Sequence, residues 1–452
     1  CVDGSKQKYG IDYKEVFSPV ATHVSIRLVL ATAMHRGMTL RQFDIKLAFV
    51  SSNIDRAVYM RAPSGSGEPI NTIWKLKKSL YGLKQAPRLF NTYLNSHLVA
   101  LGFVQSLNDP CLYYRKKKIE FTLLVVVVDD ILFATNQPQH ASVFEANMKK
   151  IFELKSMGEP QYMIGMNLKR TGNVLEISQR EYIREIACRF NMQNSHPTSI
   201  PASSTDHLVT SGLDGQPESP STNEKNYRSL VGALMYAVIT RPDVACAVSI
   251  AARFLTKPRE AHLKFAKRIL QYLYHTKDVC LVYRRTKNPV LTAYVDSSWS
   301  DERDERRSRF GYAIFYGKSL IHWKSKLGVP RCLSSTEAEY SAATHAAKEV
   351  MWLKHLISEI NQTPMLPVIM HEDNQSCIKM ASNPVVSART KYLETKMHFI
   401  RDRVQAGDIE LSYIPTKQQL ADIFTKNLAR ALHTHLRDRI LDPGLHLPVG
   451  MC

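Results

Sequence analysis

The stretch Phe121–Asn136, FTLLVVVVDDILFATN, constrains this chain more than any other. Its first eight residues are uncharged and mostly β-branched and read as a buried strand, and Ile131–Ala134 read as a second strand folding back on it. Asp129 and Asp130 then stand at the hairpin tip. A carboxylate pair on such a support can face a shared pocket, and oxygen-rich clusters suit hard divalent ions such as Mg²⁺. Taken alone, the stretch fits a solvated turn between two core strands as well. A third carboxylate lies upstream: Asp44 falls inside the strand-like stretch Leu40–Phe49, LRQFDIKLAF, where a charge is costly without a partner or a metal.

The chain has 452 residues, too many for one ordinary core, so two to four domains are expected, and a hydrophobic share of 44% supports a globular reading. Lys and Arg number 60 against 41 Asp and Glu, a net charge of +19 that favours a polyanionic partner, nucleic acid first, or an acidic surface. A merely soluble basic protein would share that charge. The longest apolar run is broken by the Asp pair short of the ~20 residues a membrane span needs, so no transmembrane helix or membrane partner is expected, and no secretory leader is visible. Eight cysteines stand singly at 1, 111, 188, 246, 280, 332, 377 and 452. Without a CxxC pair they argue against a zinc ribbon and a disulfide framework, and so for a reducing intracellular compartment. The first residue is Cys1 rather than methionine, as in a fragment of something longer.

Along the chain, Ile26–Met34 reads as a helix stopped at Gly37. Pro63–Pro69 is a loop whose GSG lacks the Gly-Lys-Ser/Thr ending of a phosphate loop. Trp74–Phe90, WKLKKSLYGLKQAPRLF, mixes basic and aromatic residues as a surface that holds phosphates and stacks bases does, although a domain rim would look the same. An amphipathic helix is expected over Val143–Lys155, then a hairpin of Tyr162–Leu168 with Val174–Ile177, a Ser/Thr/Pro/Gly-rich linker over 198–225, and packed helices from Tyr227 to Tyr283. Beyond these, Val290–Asp296, Arg309–Tyr316 and Ser319–Lys324 read as strands, Ser335–Ile360 as a long helix, Val368–Asp373 and Glu410–Ile414 as further strands, and Gln418–Lys426 as a last helix. That order predicts an α/β domain with a mixed sheet. It places Asp296, Glu339, Asp373 and Asp422 on four different elements. Four such acids would repel one another in a dry cleft unless cations bound there, whereas ordinary exposed acids would explain any single one. Glu337 competes with Glu339 for the helix position. The histidines at 322, 345, 371 and 398 are not spaced as a zinc site.

QFDIKLAF (42–49), KSLYGLKQAPRLF (78–90), VVDDIL (127–132), STEAEY (335–340) and QLADIFTK (419–426), in this order, resemble the Pol polyprotein of copia-type LTR retrotransposons over nearly the whole chain, without that polyprotein's upstream protease and integrase. The resemblance implies an α/β protein: an α+β polymerase of fingers, palm and thumb followed by an α/β ribonuclease H domain. Its expected parts are fingers and palm over 1–168, a thumb-like segment and linker over 169–225, a helical connection over 226–287, ribonuclease H over 288–435 and a tail over 436–452. It implies an RNA-directed DNA polymerase joined to a ribonuclease that cuts the RNA of RNA–DNA hybrids. Its partners would be an RNA template, a DNA primer, the hybrid and deoxynucleoside triphosphates, in a cytoplasmic virus-like particle or the nucleus; oligomeric state is left open.

By the same resemblance Asp44, Asp129 and Asp130 form the polymerase triad, with the Ile45 carbonyl as an auxiliary ligand, and Asp296, Glu339, Asp373 and Asp422 form the ribonuclease site. Each would hold two Mg²⁺ (or Mn²⁺), which stabilise the entering and leaving oxygens of a displacement at phosphorus. Phe49 matches a bulky residue that would exclude a ribose 2′-hydroxyl, or is a core side chain. Tyr81 and Gly82 match the segment lying against the incoming nucleotide. Lys75, Lys77, Lys78, Lys84 and Arg88, with Arg303, Arg306, Arg307 and Arg309, are candidate phosphate contacts. Several positions depart from the family. Val127 replaces a usual Tyr, Leu47 a usual Asn, Ser51-Ser52 a usual His-Gly and Lys391–Glu394 a usual Lys-His-Ile-Asp, and a basic finger segment expected before Cys1 is missing. The alternative is therefore a decayed or truncated copy that folds and binds nucleic acid without polymerising.

Overall fold

Thr22 caps the first long helix by accepting the Ser25 N–H at 3.1 Å, and Gly37 ends it in the left-handed conformation, φ 63°. Almost every residue between them is buried, the polar Ser25, Arg27, Thr32 and His35 among them. The computed structural model describes residues 1–69, 71–206, 208–209, 219–299, 307–328, 332–383 and 398–443, and the chain divides into two units, 1–160 and 161–452. Arg303, Arg306, Lys391–Glu394 and part of the expected linker lie outside the described residues.

The first unit runs α1 (His23–Arg36), β1 (Thr39–Ile45), β2 (Tyr59–Arg61), β3 (Ile73–Lys75), α2 (Ala86–Ala100), β4 (Val104–Gln105), β5 (Leu112–Lys117), β6 (Glu120–Val127), β7 (Asp130–Thr135), α3 (Pro138–Met148) and β8 (Leu154–Gly158). Six strands form an antiparallel sheet in the order β4-β5-β6-β7-β1-β8, and β2 pairs with β3 apart from it. Alternate residues of the central strands enter a core built on Phe43, Phe133 and Phe144, with Phe133 and Phe144 stacked at 4.8 Å. The helix expected over Val143–Lys155 is shorter and starts earlier. Pro138 opens it at the first turn, and Leu154–Gly158 leave the helix to pair with β1, so strand pairing overrides the local helical pattern.

The second unit opens with β9 (Tyr162–Met163), β10 (Met166–Thr171) and β11 (Val174–Ser178), then α4 (Arg180–Arg189), α5 (Glu224–Ala237), α6 (Ala245–Ala251), α7 (Glu260–His275) and β12 (Leu281–Arg284). The expected hairpin is extended by β12, giving the order β12-β11-β10-β9. Helices α4 to α7 share an apolar core with Tyr227, Leu234 and Leu273 at its centre. Next come β13 (Leu291–Ser298), β14 (Arg309–Tyr316), β15 (Ser319–Leu327), α8 (Ser335–Asn361), β16 (Val368–Glu372), α9 (Gln375–Ser382), α10 (Phe399–Gln405), β17 (Ile409–Tyr413) and α11 (Arg430–Leu441). Their five-stranded sheet has the order β15-β14-β13-β16-β17, antiparallel through β13 and parallel from β13 to β17. The protein is thus α/β with a mixed sheet in its second half. The helix expected over Gln418–Lys426 is instead two short 3₁₀ segments, Thr416–Gln418 and Leu420–Phe424, joined where the buried Gln419 side chain donates to the Val295 carbonyl at 2.9 Å. Helix α11 crosses residue 435, and its His433, Leu436 and Ile440 are buried.

Candidate active sites

Antiparallel pairing of β1 with β7 sets Asp44 directly opposite Asp130, and the Ile45 N–H donates to the Asp129 carbonyl at 2.9 Å. The three acids therefore stand near one end of three neighbouring strands, although among the described residues their carboxylates do not close into a group that could hold a metal ion. Burial raises the Asp130 carboxyl above its ordinary range, the Gln42 amide that donates to it at 3.1 Å opposes the shift, and the Asp129 and Asp44 charges add to it. Val128 turns the hairpin at φ 58°, a left-handed conformation that a β-branched residue adopts only under strain. Such strain collects where a backbone must aim particular side chains.

Phe49 lies in a short 3₁₀ turn, Ala48–Ser51, with its ring 4.6 Å from that of Tyr81 and 6.0 Å from that of Phe90. Gly82 follows at φ 98°, and a Cβ there would lie 1.8 Å from the Val2 carbonyl oxygen, so only glycine fits. The structure brings Phe49, Tyr81 and Gly82 together. The basic residues around them divide: Lys75 and Lys77 are exposed, whereas Arg88 pairs with Asp55 and Lys84 donates to Gln7 and Tyr13.

In the second unit, oxygens of Asp296, Glu339 and Asp373 lie within 4.8 Å of one another. Parallel pairing sets Tyr294 beside His371, which brings Asp296, inside β13, level with Asp373, just past the end of β16. Asp296 is buried, and Thr425 Oγ1 donates to its Oδ2; Asp373 accepts Thr416 Oγ1 at 2.7 Å. Ser334 caps α8 by accepting the Glu337 N–H at 3.2 Å, while the Glu337 carboxylate accepts the Leu333 N–H at 2.6 Å. Glu337 is thereby spent at the helix end, and Glu339 is the acid that faces the other two. Asp422 lies in the second 3₁₀ segment rather than on the expected last helix over Gln418–Lys426. Lys426 Nζ reaches it at 2.9 Å and Asp296 at 3.4 Å, so one ammonium joins both carboxylates.

Burial, then the charges of Asp296, Glu372 and Asp373, push the Glu339 carboxyl well above its ordinary range, and its Oε2 has no hydrogen-bond partner. Asp422 is pushed up to about 7 by burial and by Asp296, against the pull of Lys426. Buried, mutually repelling carboxylates with an orphan oxygen are a donor set that fits a hard divalent cation. Sequence reasoning missed two neighbours. Glu372 is fully buried, with Oε1 accepting the Asn374 N–H at 3.0 Å and Oε2 unpaired. It continues the inward-facing series Val368, Met370, Glu372 of β16, and that alternation was its only signal. Lys426 follows Asp422 by four residues, a spacing that could have paired them.

Residues 1–204 match the family described as reverse transcriptase (RNA-dependent DNA polymerase). Over 97% of its length the chain is 35% identical to a retrovirus-related Pol polyprotein from transposon RE1 of Arabidopsis thaliana, and over 95% it is 35% identical to that from transposon TNT 1-94 of Nicotiana tabacum. A transposon Ty5-1 protein of Saccharomyces cerevisiae is matched over its whole length, at 32% identity across 68% of this chain. The chain belongs to the Pol polyproteins of copia-type retrotransposons. It spans 30% of the RE1 polyprotein and 33% of the TNT 1-94 polyprotein. A crystal structure of RNase H1 from Halobacterium salinarum NRC-1 covers 30% of this Pol chain and 93% of its own, at TM-score 0.22 and 14% identity, too slight a likeness to carry an argument.

Membership of this Pol family does not make every basic residue a nucleic-acid contact. Arg309 was a candidate, but it is buried and donates to Ser249 Oγ at 2.6 Å, so it holds the fold. Arg307 likewise donates to the Gly328 carbonyl. No helix among the described residues is long and apolar enough to cross a membrane.

Proposed function

We propose that this Pol chain carries two separate chemistries: RNA-directed DNA synthesis at Asp44, Asp129 and Asp130, and cleavage of the RNA strand of RNA–DNA hybrids at Asp296, Glu339, Asp373 and Asp422. The observation that carries the reading is the convergence of Asp296, Glu339 and Asp373 within 4.8 Å, with the buried Glu339 Oε2 unpaired. Such a cluster is costly by itself and becomes favourable when cations neutralise it.

Asp296, Glu339, Asp373 and Asp422 would hold Mg²⁺ or Mn²⁺ in the ribonuclease site, and Asp44, Asp129 and Asp130 in the polymerase site. Divalent cations supply an activated oxygen nucleophile and charge stabilisation for displacement at phosphorus. The chain's own residues do the rest. Thr425 and Lys426 fix the Asp296 carboxylate, Thr416 fixes Asp373, and the Lys426 ammonium offsets part of the repulsion between Asp296 and Asp422. In the first unit Gln42 orients Asp130, and the ring of Phe49 against Tyr81 would exclude a 2′-hydroxyl from the nucleotide site. Exposed Lys75 and Lys77 suit phosphate contacts along template and primer. The proposed setting is intracellular, in a cytoplasmic particle or the nucleus, with ribonuclease H over 288–435 and the polymerase over 1–168.

A second reading, a copy that binds and cuts hybrid without polymerising, is favoured by Val127 at the end of β6. This residue offers neither the hydroxyl nor the ring of the tyrosine in the resembled box. Extension and cleavage assays on one end-labelled RNA–DNA hybrid with Mg²⁺ separate the two. Extension with cleavage supports both chemistries, cleavage alone supports the second reading, and absence of both overturns the proposal.

A further inference from the structure

We propose that the second unit carries a nucleotide-binding cavity on the β13–β14 sheet surface, distinct from the acidic cluster, that takes a planar base together with a phosphate. The inference rests on the reading that this unit works on nucleic acid. The cavity measures about 530 Å³ and is lined by Thr292 and Tyr294 of β13, Phe315 of β14, Lys318 in the following turn, Gln418, and Arg439 of α11.

Its chemistry is the reverse of the acidic cleft. No aspartate or glutamate lines it, and neither Lys318 nor Arg439 has an ion-pair partner among the described residues. Donor groups without acceptors select an anion, and a guanidinium with an ammonium suits a phosphate. A bare phosphate would leave most of such a volume unfilled, since cavities of roughly 300–1,000 Å³ fit whole small molecules. Part of the remaining lining is aromatic: Tyr294 and Phe315 stand edge to face at 5.8 Å, and behind them the His371 ring, outside the lining, lies 4.6 Å from Tyr294. An aromatic wall offers a planar ring stacking contacts that tolerate any base. Gln418, whose amide has both donor and acceptor, also lines the space.

The cavity lies close to the acids along the chain. Tyr294 precedes Asp296 on β13 by two residues, roughly 6.6–6.8 Å of strand. Between their levels Gln419 spans from β13 to β16, donating to the Val295 and His371 carbonyls at 2.9 and 3.4 Å. Two sources could supply the ligand: a free nucleoside monophosphate, or the unpaired terminal nucleotide of a strand.

The test is equilibrium binding of AMP, CMP, GMP and UMP to the full chain in EDTA, where no cation links phosphate to the acidic clusters. Saturable binding of all four is expected, with at least tenfold weaker binding of the matching nucleosides and of ribose 5-phosphate. Lys318→Glu and Arg439→Ala are each expected to weaken AMP binding at least tenfold, and Asp373→Asn to leave it unchanged. Lys318 sits in an exposed turn, so its variant is expected to fold as the parent does, which a matching melting temperature verifies. Equal affinity for AMP and adenosine, binding unchanged in Lys318→Glu and Arg439→Ala, or no saturable binding would overturn the proposal. Competition by a hybrid with a one-nucleotide 5′-phosphorylated overhang, but not by a blunt one, assigns the site to strand ends. Failure of both hybrids to compete assigns it to free nucleotide. Hybrid cleavage in Mg²⁺ is read separately, so an empty cavity and an inactive ribonuclease give different results.

Discussion

Lys426 Nζ lies 3.4 Å from Asp296 Oδ1, so a fixed ammonium already occupies one edge of the acidic cleft of the second unit. It also reaches Asp422, and it competes electrostatically with any divalent cation that enters. Lys426→Met is expected to lower the Mg²⁺ concentration needed for half-maximal binding by roughly tenfold, about 1.4 kcal/mol of removed repulsion. Maximal cleavage should fall at the same time, because Asp296 and Asp422 lose the group that holds them. A Mg²⁺ titration by calorimetry, with cleavage rates alongside, checks both directions.

The raised carboxyls of Asp422, at about 7, and Glu339 give a second expectation. A carboxyl raised on folding binds its proton more tightly in the folded chain. Its stabilising contribution is complete below the unfolded value near 4 and is lost as pH rises through about 7. Burial lowers His345 and His371, which act in the opposite sense below their ordinary value near 6.5. The comparison of parent with Asp422→Asn isolates the acid. In EDTA the variant should gain in melting temperature over the parent between pH 5 and pH 8, and Mg²⁺ should stabilise the parent more at pH 8 than at pH 5. A constant difference between the two chains would contradict the assignment.

Much of this architecture was legible in the residues. An apolar strand cut by Asp129 and Asp130 can hardly fold other than as a hairpin, and Gly37 ended α1 as expected. Other elements answer to partners distant in the chain. Residues 149–155 carry a helical pattern, yet Leu154–Gly158 pair with β1, and nothing local announces that pairing. Gln418–Lys426 read as helix, but the buried Gln419 side chain bonds to β13 and β16 and bends the segment. Glu372 escaped notice because a glutamate at a strand end is ordinarily solvated. The nucleotide cavity was not legible, since Tyr294, Lys318, Gln418 and Arg439 meet only through the fold.

Leu47 adopts φ 52° and is 61% exposed, so a branched apolar residue occupies a left-handed position without burying its side chain. Asparagine tolerates that conformation through local hydrogen bonds. Leu47→Asn, which restores the residue usual in the resembled family, is expected to stabilise the first unit by about 1 kcal/mol. Urea unfolding followed by tyrosine fluorescence measures it; destabilisation would show that Leu47 makes a contact of greater worth.

Asp243 lies fully buried, bidentate with Arg241 at 2.7 and 2.9 Å and accepting Tyr272 Oη at 2.7 Å. His433 of α11 stands 3.3 Å from its carbonyl, so the network ties the 3₁₀ turn Pro242–Val244 and helix α7 to α11. Removing one partner of such a pair leaves a buried charge uncompensated. Asp243→Ala is therefore expected to cost about 3–5 kcal/mol of stability. Circular dichroism melts should show that loss, while Arg228→Ala, at an exposed pair, changes stability by less than about 1 kcal/mol.

The central claim is that the two acidic sites act separately and that hybrid cleavage belongs to the second unit. It is tested most directly by the Mg²⁺-dependent cleavage rate of the full chain, Asp373→Asn and Asp130→Asn on one labelled RNA–DNA hybrid at matched protein concentration. Asp373→Asn should lower the rate at least a hundredfold while keeping or tightening hybrid binding, because it removes a cation ligand and one negative charge near phosphate. Asp130→Asn should cut as fast as the parent. Cleavage at the parental rate by Asp373→Asn, or its loss in Asp130→Asn, would contradict the account.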